Sequence, residues 1–354
     1  MGLDFTYYDD RGREWKRWDT TTPLFAGKLP QLIKISIFCK DERGVALVLA
    51  LAVIALLVSL VVDFSYTMMI DLTLAANLRD EHKAFYVARS GIEMARHILQ
   101  EDDPDYDSLD EEWALFDEHP GYLSEDDEGR FKGTIEDEAS KIAINTLIGA
   151  DDTVDETRRG QLERLFGLLE LDLALLDCII DWLDFNNNTK DFGAEDAYYE
   201  ALSPPYPCKD GSLASIEELL LVKGMTEEIL YGTEEKKGLI HYLTIYSNDD
   251  GRVNINTASA EVLQSLSEDI TENLAQAIVD YRQEEPFKDI KYDDIKHLPG
   301  MTLEIFNQIR DQSDVKSSNF SLRVEGEVRG IKKGIFVVLK REGEAVTPMF
   351  WRVE

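Results

Sequence analysis

The residues best suited to chemistry lie between Asp181 and Asp196, in the run DWLDFNNNTKDFGAED. Asp184, Asn186 and Asn188 alternate, which puts their side-chain oxygens on one side of a tight turn, and Asp191, Glu195 and Asp196 add carboxylates. Calcium prefers such a shell, about six to eight hard oxygens in a flexible loop. Zinc would ask for imidazoles or several thiolates, and this stretch has no His and only Cys178 nearby. Magnesium more often recruits phosphate and water than so dense a donor set. The spacing departs from the EF-hand pattern, because no glycine sits two residues after Asn188 and the terminal Glu is out of place. A solvated Asn/Asp turn therefore stays open as the other reading.

Cys39 precedes the main apolar segment of the chain, whereas Cys178 and Cys208 follow it. If the chain crosses a membrane once, the latter two share an oxidising compartment. They are then expected to pair, stapling the polar loop between them. Two separate thiols are the alternative. None of the five His sits in a metal-ligand or Ser/His/Asp spacing, and no glycine-rich phosphate loop occurs. No enzyme activity is expected. With 70 acidic against 37 basic residues, net −33, the chain repels polyanions, so a metal ion, a protein or another cationic partner fits better. Hydrophobic content of 44% makes the acidity a coat on a folded body.

The cation loop belongs to a duplicated unit. Thr146 ends KIAINT and Thr257 ends RVNINT, an offset of 111; LLDCIIDW ends at Trp182 and LAQAIVDY at Tyr281, an offset of 99; VKGMT and LPGMT centre on Gly224 and Gly300, an offset of 76. Ordered matches with falling offsets indicate a tandem duplication whose first copy is the longer. Its 23 additional residues between the second and third matches fall in the loop after Trp182. In each copy the Asn-Thr pair is expected to cap a helix, and the glycine to take a positive φ between two short helices, the second capped by Thr226 or Thr302.

From Val45 to Val62 the chain reads VALVLALAVIALLVSLVV, long enough for one membrane span. Lys34, Lys40 and Arg43 before it and Asp63 and Asp71 after it place the N-terminal side in the cytoplasm. Apolar residues continue at spacings of three and four through Phe85, Ala88, Ile92, Ala95 and Ile98. One helix is expected over 45–100, stopped by Glu101-Asp102-Asp103-Pro104.

Lys40-Asp41-Glu42-Arg43-Gly44 abuts the apolar run, whereas a secretory signal carries its cleavage site after the hydrophobic stretch. The arrangement resembles the type IV prepilin signal. That resemblance implies cutting by a prepilin peptidase after Gly44, retention of the helix, and an N-methylated Val45 as the new N-terminus. Most pilins carry Glu at the fifth mature position, where it meets a neighbour's terminal amine; here Leu49 stands there. A buried amine without a partner is costly, and a subunit with nothing beyond it does not need that carboxylate. The missing carboxylate and the run Ala88-Arg89-Ser90-Gly91-Ile92-Glu93 are similar to the minor pseudopilin K family of type II secretion (general secretion pathway protein K). A 44-residue leader is long for that class, so the translation start is expected downstream of Met1.

The resemblance implies a subunit at the tip of a type II secretion pseudopilus, priming its assembly and aiding export of folded proteins. It implies an anchor in the bacterial inner membrane with the C-terminal domain in the periplasm. The implied partners are the I and J type minor pseudopilins, the major pseudopilin, exported proteins and the outer-membrane channel. The segment Asp181–Tyr199 is similar to the family's DWxD…GAExxYY stretch, which implies structural calcium on Asp184, Asn186, Asn188, Asp191 and Glu195. A competing resemblance runs from Asn254 to Gly300, to the helix-hairpin-helix modules of competence DNA receptors, which offer amides and basic residues to phosphate. Met301 after Gly300, and the excess of Asp289, Asp293, Asp294 and Glu304 over Lys291 and Lys296, weigh against nucleic acid.

Alternation from Ser318 to Val328 and from Lys332 to Arg341 about Gly330 marks an antiparallel hairpin. With strands near 131–136, 141–145, 242–246 and 252–256 it is expected to form the sheet under the long helix. The expected fold class is α+β: a pilin-like long N-terminal helix and an antiparallel sheet, with a large inserted α-domain of two helix-hairpin-helix (SAM-like) units. The expected segments are the leader (1–44), the filament helix (45–100), the first part of the sheet (101–145), the first helical unit (146–240), linking strands (241–256), the second helical unit (257–315) and the last strands (316–354).

Overall fold

The computed structural model describes residues 42–118, 121–122, 129–246, 248 and 250–354, together with two short strands, β1 (Tyr7–Tyr8) and β2 (Glu14–Trp15), paired antiparallel. The remainder of the expected leader, including Cys39, lies outside the described residues. The chain forms two compact units, Met1–Leu72 and Thr73–Glu354. Helix α1 (Glu42–Glu101) begins in the first and ends in the second. In the first unit its side chains are exposed from Gly44 to Leu72, and the helix is long and apolar enough to cross a membrane.

In the second unit α1 buries Ala84, Val87, Ala88, Ile92, Ala95 and Leu99. This stripe is rotated slightly from the expected one, so Phe85 and Ile98 lie at its margin, half-buried. Two strands follow, β3 (Gly121–Tyr122) and β4 (Arg130–Asp137).

The chain then enters the first helical unit: β5 (Ile142–Ala143), α2 (Glu156–Leu168), α3 (Ala174–Leu183), α4 (Asp196–Tyr199), a 3-10 turn at Ile216–Leu221, α5 (Glu227–Tyr231) and β6 (Leu243–Thr244). The second contains β7 (Val253–Asn254), α6 (Ala260–Ser265), α7 (Glu272–Glu284), α8 (Tyr292–Ile295), α9 (Leu303–Ile309) and β8 (Ser313–Asp314). Each unit is closed at its neck by a two-residue parallel pair, β5 with β6 and β7 with β8. The segments at 141–145, 242–246 and 252–256 are therefore not strands of the main sheet, contrary to the expectation above. They serve as clasps that bring the two ends of each unit together.

The duplication is repeated in the geometry. Asn145 Oδ1 accepts from Leu213 N (2.8 Å) while its Nδ2 donates to Leu213 O (3.0 Å). Asn256 makes the same reciprocal pair with Phe287, at 2.9 and 2.8 Å. These asparagines are not helix caps. A carboxamide offers a donor and an acceptor side by side, so it can bond a loop residue as a strand would. The caps of α2 and α6 are Asp155 and Ser259. Gly224 and Gly300 have φ of +83° and +91°, and Thr226 and Thr302 cap α5 and α9 through Ile229 N and Ile305 N, both at 3.2 Å.

The two units share one hydrophobic core, running from Leu162, Leu165 and Phe166 of α2 to Val262 and Leu263 of α6. Three side chains of α2 cross-link them: Arg158 to Asp250 O (3.0 Å), Gln161 to Gln312 (2.7 Å) and Arg164 to Ser265 O (2.6 Å). The two copies thus form a single helical domain.

Three strands complete the sheet, β9 (Asn319–Val328), β10 (Ile331–Glu342) and β11 (Ala345–Val353), giving the antiparallel order β11-β10-β9-β4-β3. Arg329 and Gly330, at φ of +52° and +84°, make the tight turn of the β9–β10 hairpin. The edge strand β11 falls within the expected last strands (316–354) but was not singled out, because Pro348 breaks its pattern; its pairing shifts register at Val338/Leu339. Phe131, Ile135, Phe320, Leu322, Val324, Ile335 and Val337 face α1 in a second core.

A buried polar clasp joins this sheet to the helical domain. Arg341 of β10 pairs with Asp102 (2.8 Å) and Asp107 (2.5 Å), Asp107 accepts from Ser317 N (2.7 Å), and Asn254 Nδ2 reaches both Asp107 O and Asp137 at 3.0 Å. Burial outweighs the arginine and pushes Asp107 up to about 7.

Candidate metal centre in the first helical unit

The last turn of α3 and the loop after it bury three carboxylates. Asp181 is fully buried and accepts from Lys190 N (3.2 and 3.1 Å). The loop folds over it so closely that a Cβ at Gly193 would lie 1.8 Å from Asp181 Oδ2, so only glycine fits there. Asp184 ends the helix, is 1% exposed, and accepts from Asn186 N (3.3 Å). Glu195, just before α4, is 4% exposed, and neither of its carboxylate oxygens has a hydrogen-bond partner. Asp210 contributes a fourth carboxylate with Oδ1 buried and unpartnered, from a backbone turn at φ +48°. Glu195, Cys208 and Asp210 bring one ligand atom each within 4.8 Å of one another.

Other residues hold the loop. Asp152, also left-handed at φ +61°, accepts from Phe185 N (2.7 Å) and Asn186 Nδ2 (3.1 Å). Asp196 accepts from Cys208 N (2.8 Å), tying α4 to the Asp210 turn. Lys223 N donates to the buried Tyr199 Oη (3.2 Å), and Tyr199 packs edge-on to Trp182 at 5.0 Å.

The electrostatics are those of a site short of positive charge. Burial first, and then the charges of Asp181 and Asp184, push Glu195 up to about 7. Burial, with Asp152 and Asp181 adding to it, pushes Asp184 up to about 6. An unpartnered buried carboxylate is costly, and a hard divalent cation would remove both burdens. The donor set is oxygen. The Cys208 thiol beside it is pushed up to about 12 by burial and donates to Asp181 O (3.5 Å), which leaves carboxylate oxygens as the majority of the donors. The residues present therefore fit calcium.

Of the five ligands expected from sequence, Asp184 and Glu195 lie in the buried cluster. Asn186 stands at its edge, held by Asp152, and Asn188 and Asp191 are exposed. Asn188 donates to Asn186 Oδ1 from its backbone N (3.0 Å) and its side chain (2.6 Å). Asp181 and Asp210 were not in the expected set. Asp181 carried a signal, as the first residue of the DWxD stretch, whereas Asp210 lies 26 positions past Asp184 and carried none. The expected disulfide is also absent from this structure. Cys178 and Cys208 are separate buried thiols, because each sulfur is turned to its own carbonyl, Phe192 O (3.2 Å) for Cys178 and Asp181 O for Cys208.

A second acidic group, Asp102, Asp107 and Glu111, differs in already holding a cation, the Arg341 guanidinium.

A long helix with an apolar first half, its second half packed on an antiparallel sheet, and a helical domain inserted between β4 and β9, define a pilin-like α+β protein. Residues 140–234 and 253–316 match family models described as type II secretion system (T2SS), protein K. Type II secretion system protein K of Aeromonas hydrophila is 28% identical over 82% of this chain and 90% of that protein, and that of Pseudomonas aeruginosa 29% over 73% and 78%. Among solved structures, the GspK-GspI-GspJ complex from the enterotoxigenic Escherichia coli type 2 secretion system includes a chain with the same fold. It aligns at a TM-score of 0.64 and 18% identity, over 79% of this chain and 99% of that one. These relationships support a minor pseudopilin of type II secretion, similar to the protein K subunits of those bacteria. The DNA-receptor alternative is not favoured by these relationships.

Proposed function

We propose that this minor pseudopilin occupies the tip of a type II secretion pseudopilus, where it primes assembly with partners of the I and J types and aids export of folded proteins. The observation that carries the tip position is Leu49. A mature chain starting at Val45 has no carboxylate at its fifth residue to receive the amine of a subunit above it. A rigid helical domain sharing one core supports the same reading, because it makes a broad head. The related complex contains I and J proteins, which suggests these partners. In this reading a prepilin peptidase cuts after Gly44, α1 anchors the chain in the inner membrane, and the second compact unit lies in the periplasm. Each helical unit is of the helix-hairpin-helix kind, used for packing.

Calcium belongs to the proposal as a structural ion. Asp181, Asp184, Glu195 and Asp210 would hold it, with Asn186 beside them. It would neutralise buried carboxylates and fix the loop between α3 and α4. Mass spectrometry of the mature N-terminus tests the class: the expected product begins with methylated Val45, and an intact leader contradicts it. Co-purification tests the position. The chain should come down with I and J type pseudopilins, and Leu49→Glu should let subunits add beyond it and lengthen the filaments.

A further inference from the structure

Large exposed apolar side chains outside α1 are frequent in the first helical unit, and three of them lie on the segments that meet at Lys223. Phe192, Tyr198 and Leu221 are 63%, 40% and 45% exposed. Lys223 Nζ donates to Phe192 O (3.1 Å) and Gly193 O (2.9 Å) and lies 5.2 Å from the centre of the Tyr198 ring. Leu221, two residues before it, has its carbonyl held by Tyr206 Oη (2.9 Å), and Phe192 N donates to Asp177 (3.3 Å).

The backbone under this patch is thus tied down while the side chains are left in water. Burying such side chains is favourable, so holding three of them rigidly in water sacrifices stability in the isolated chain. A rigid aromatic surface loses little entropy when a partner covers it. The surroundings select the partner. Asp191 and Glu200 are exposed beside Phe192 and Tyr199, and Asp172 is exposed at the start of α3. The Lys223 ammonium is already engaged by two carbonyls and a ring. An apolar centre with an acidic rim repels anionic lipid and nucleic acid and complements a protein surface of opposite pattern.

We infer that the face formed by Phe192, Tyr198 and Leu221 docks a protein whose contact surface is apolar at its centre and rimmed by lysine or arginine. The inference rests on the tip reading, which leaves this face free at the end of the filament.

The test uses the full chain in nanodiscs at saturating calcium, titrated with a synthetic amphipathic peptide carrying leucine and tryptophan on one face and lysine on the other. A peptide with glutamate in place of lysine and phosphatidylglycerol vesicles are the comparison probes. The lysine peptide should bind and slow hydrogen exchange at 191–199 and 221–223. The Phe192→Ser/Tyr198→Ser double variant should lose at least about tenfold in affinity, as truncation of aromatic anchors does. Equal binding by parent and double variant would reduce the effect to bulk acidity and overturn the inference, as would preference for the vesicles or the glutamate peptide. Co-purification with I and J type pseudopilins reads the tip position separately, so intact co-purification with failed docking removes the docking face alone.

Discussion

Asp181, in the last turn of α3, is fully buried beneath Gly193, whereas its counterpart in α7, Asp280, is exposed and takes a hydrogen bond from Gln276 (2.7 Å). Just after each aromatic neighbour the contrast sharpens. After Trp182 and Leu183 the first copy buries Asp184; after Tyr281 the second buries Arg282, whose Nη1 donates to Ile255 O (2.6 Å) and which burial pushes down to about 10. Both copies share the neck, the asparagine pair, the positive-φ glycine and the threonine cap. The second buries a guanidinium that meets its own backbone through Nη1 and leaves Nε without a partner, while the first buries carboxylates, those of Glu195 without any partner. One scaffold thus carries two electrostatic designs of opposite sign, and the negative one is suited to a cation from solution.

The most severe way to break the contrast is Gly193→Ala. Its Cβ would enter the Asp181 carboxylate, and overpacking of this kind costs about 3 kcal/mol. A fall in melting temperature should be accompanied by faster hydrogen exchange in α3 and α4 and unchanged exchange in α7. Uniform loss of protection across both copies would mean that the units do not differ as described.

Calcium should act nearly as strongly and in the opposite direction. An ion at about 100 times its dissociation constant stabilises by roughly 2.7 kcal/mol. The pH dependence follows from the raised carboxyl groups. Without the ion, folded Glu195 (about 7) and Asp184 (about 6) bind more protons than the unfolded chain, so their contribution to stability falls as pH rises from about 4.5 to about 7. The ion must displace those protons. Its effect on melting should therefore be large at pH 8 and small at pH 5, and Glu195→Gln should reduce it at every pH while leaving the ion-free protein no less stable. A shift independent of pH would place calcium elsewhere.

The shared asparagine pairs allow a test of equality. Asn256→Ala orphans the amide and carbonyl of Phe287 at a buried site and should cost roughly 2–3 kcal/mol; Asn145→Ala, at a half-buried site, should cost about 1 kcal/mol less. Denaturant unfolding of the two variants would show whether the pairs hold both copies alike.

How far these features could be read in advance depended on how local their causes are. The duplication was legible because glycine and Asn-Thr signals recur in order, and the β9–β10 hairpin because its alternation flanks one turn. The clasps β5–β6 and β7–β8 do not show in the pattern, since two-residue strands have no period and their pairing depends on residues 60 and 101 positions away. The cation loop was legible as oxygen-rich, but not which oxygens turn inward. Asp152 and Asp210 come from left-handed turns outside the loop, and the burial of Asp181 depends on the close approach of Gly193. The Arg341 clasp was invisible for the same reason, as its partners Asp102 and Asp107 lie more than 230 residues before it.

The smallest expected effect tests what the copies share most closely. Thr226 and Thr302 cap α5 and α9 with the same geometry, each accepting from the amide three residues on at 3.2 Å, after glycines of nearly the same φ. Loss of such a cap costs about 1 kcal/mol. Thr226→Ala and Thr302→Ala should therefore lower stability by equal amounts when calcium is absent. With calcium present, Thr226→Ala should also leave the ion's stabilising shift intact, because α5 lies beyond the loop and contributes no carboxylate to the cluster. Unequal costs in the ion-free protein would show that the first copy's acidic loop strains its own hairpin, and that the two designs are coupled to the scaffold rather than laid over it.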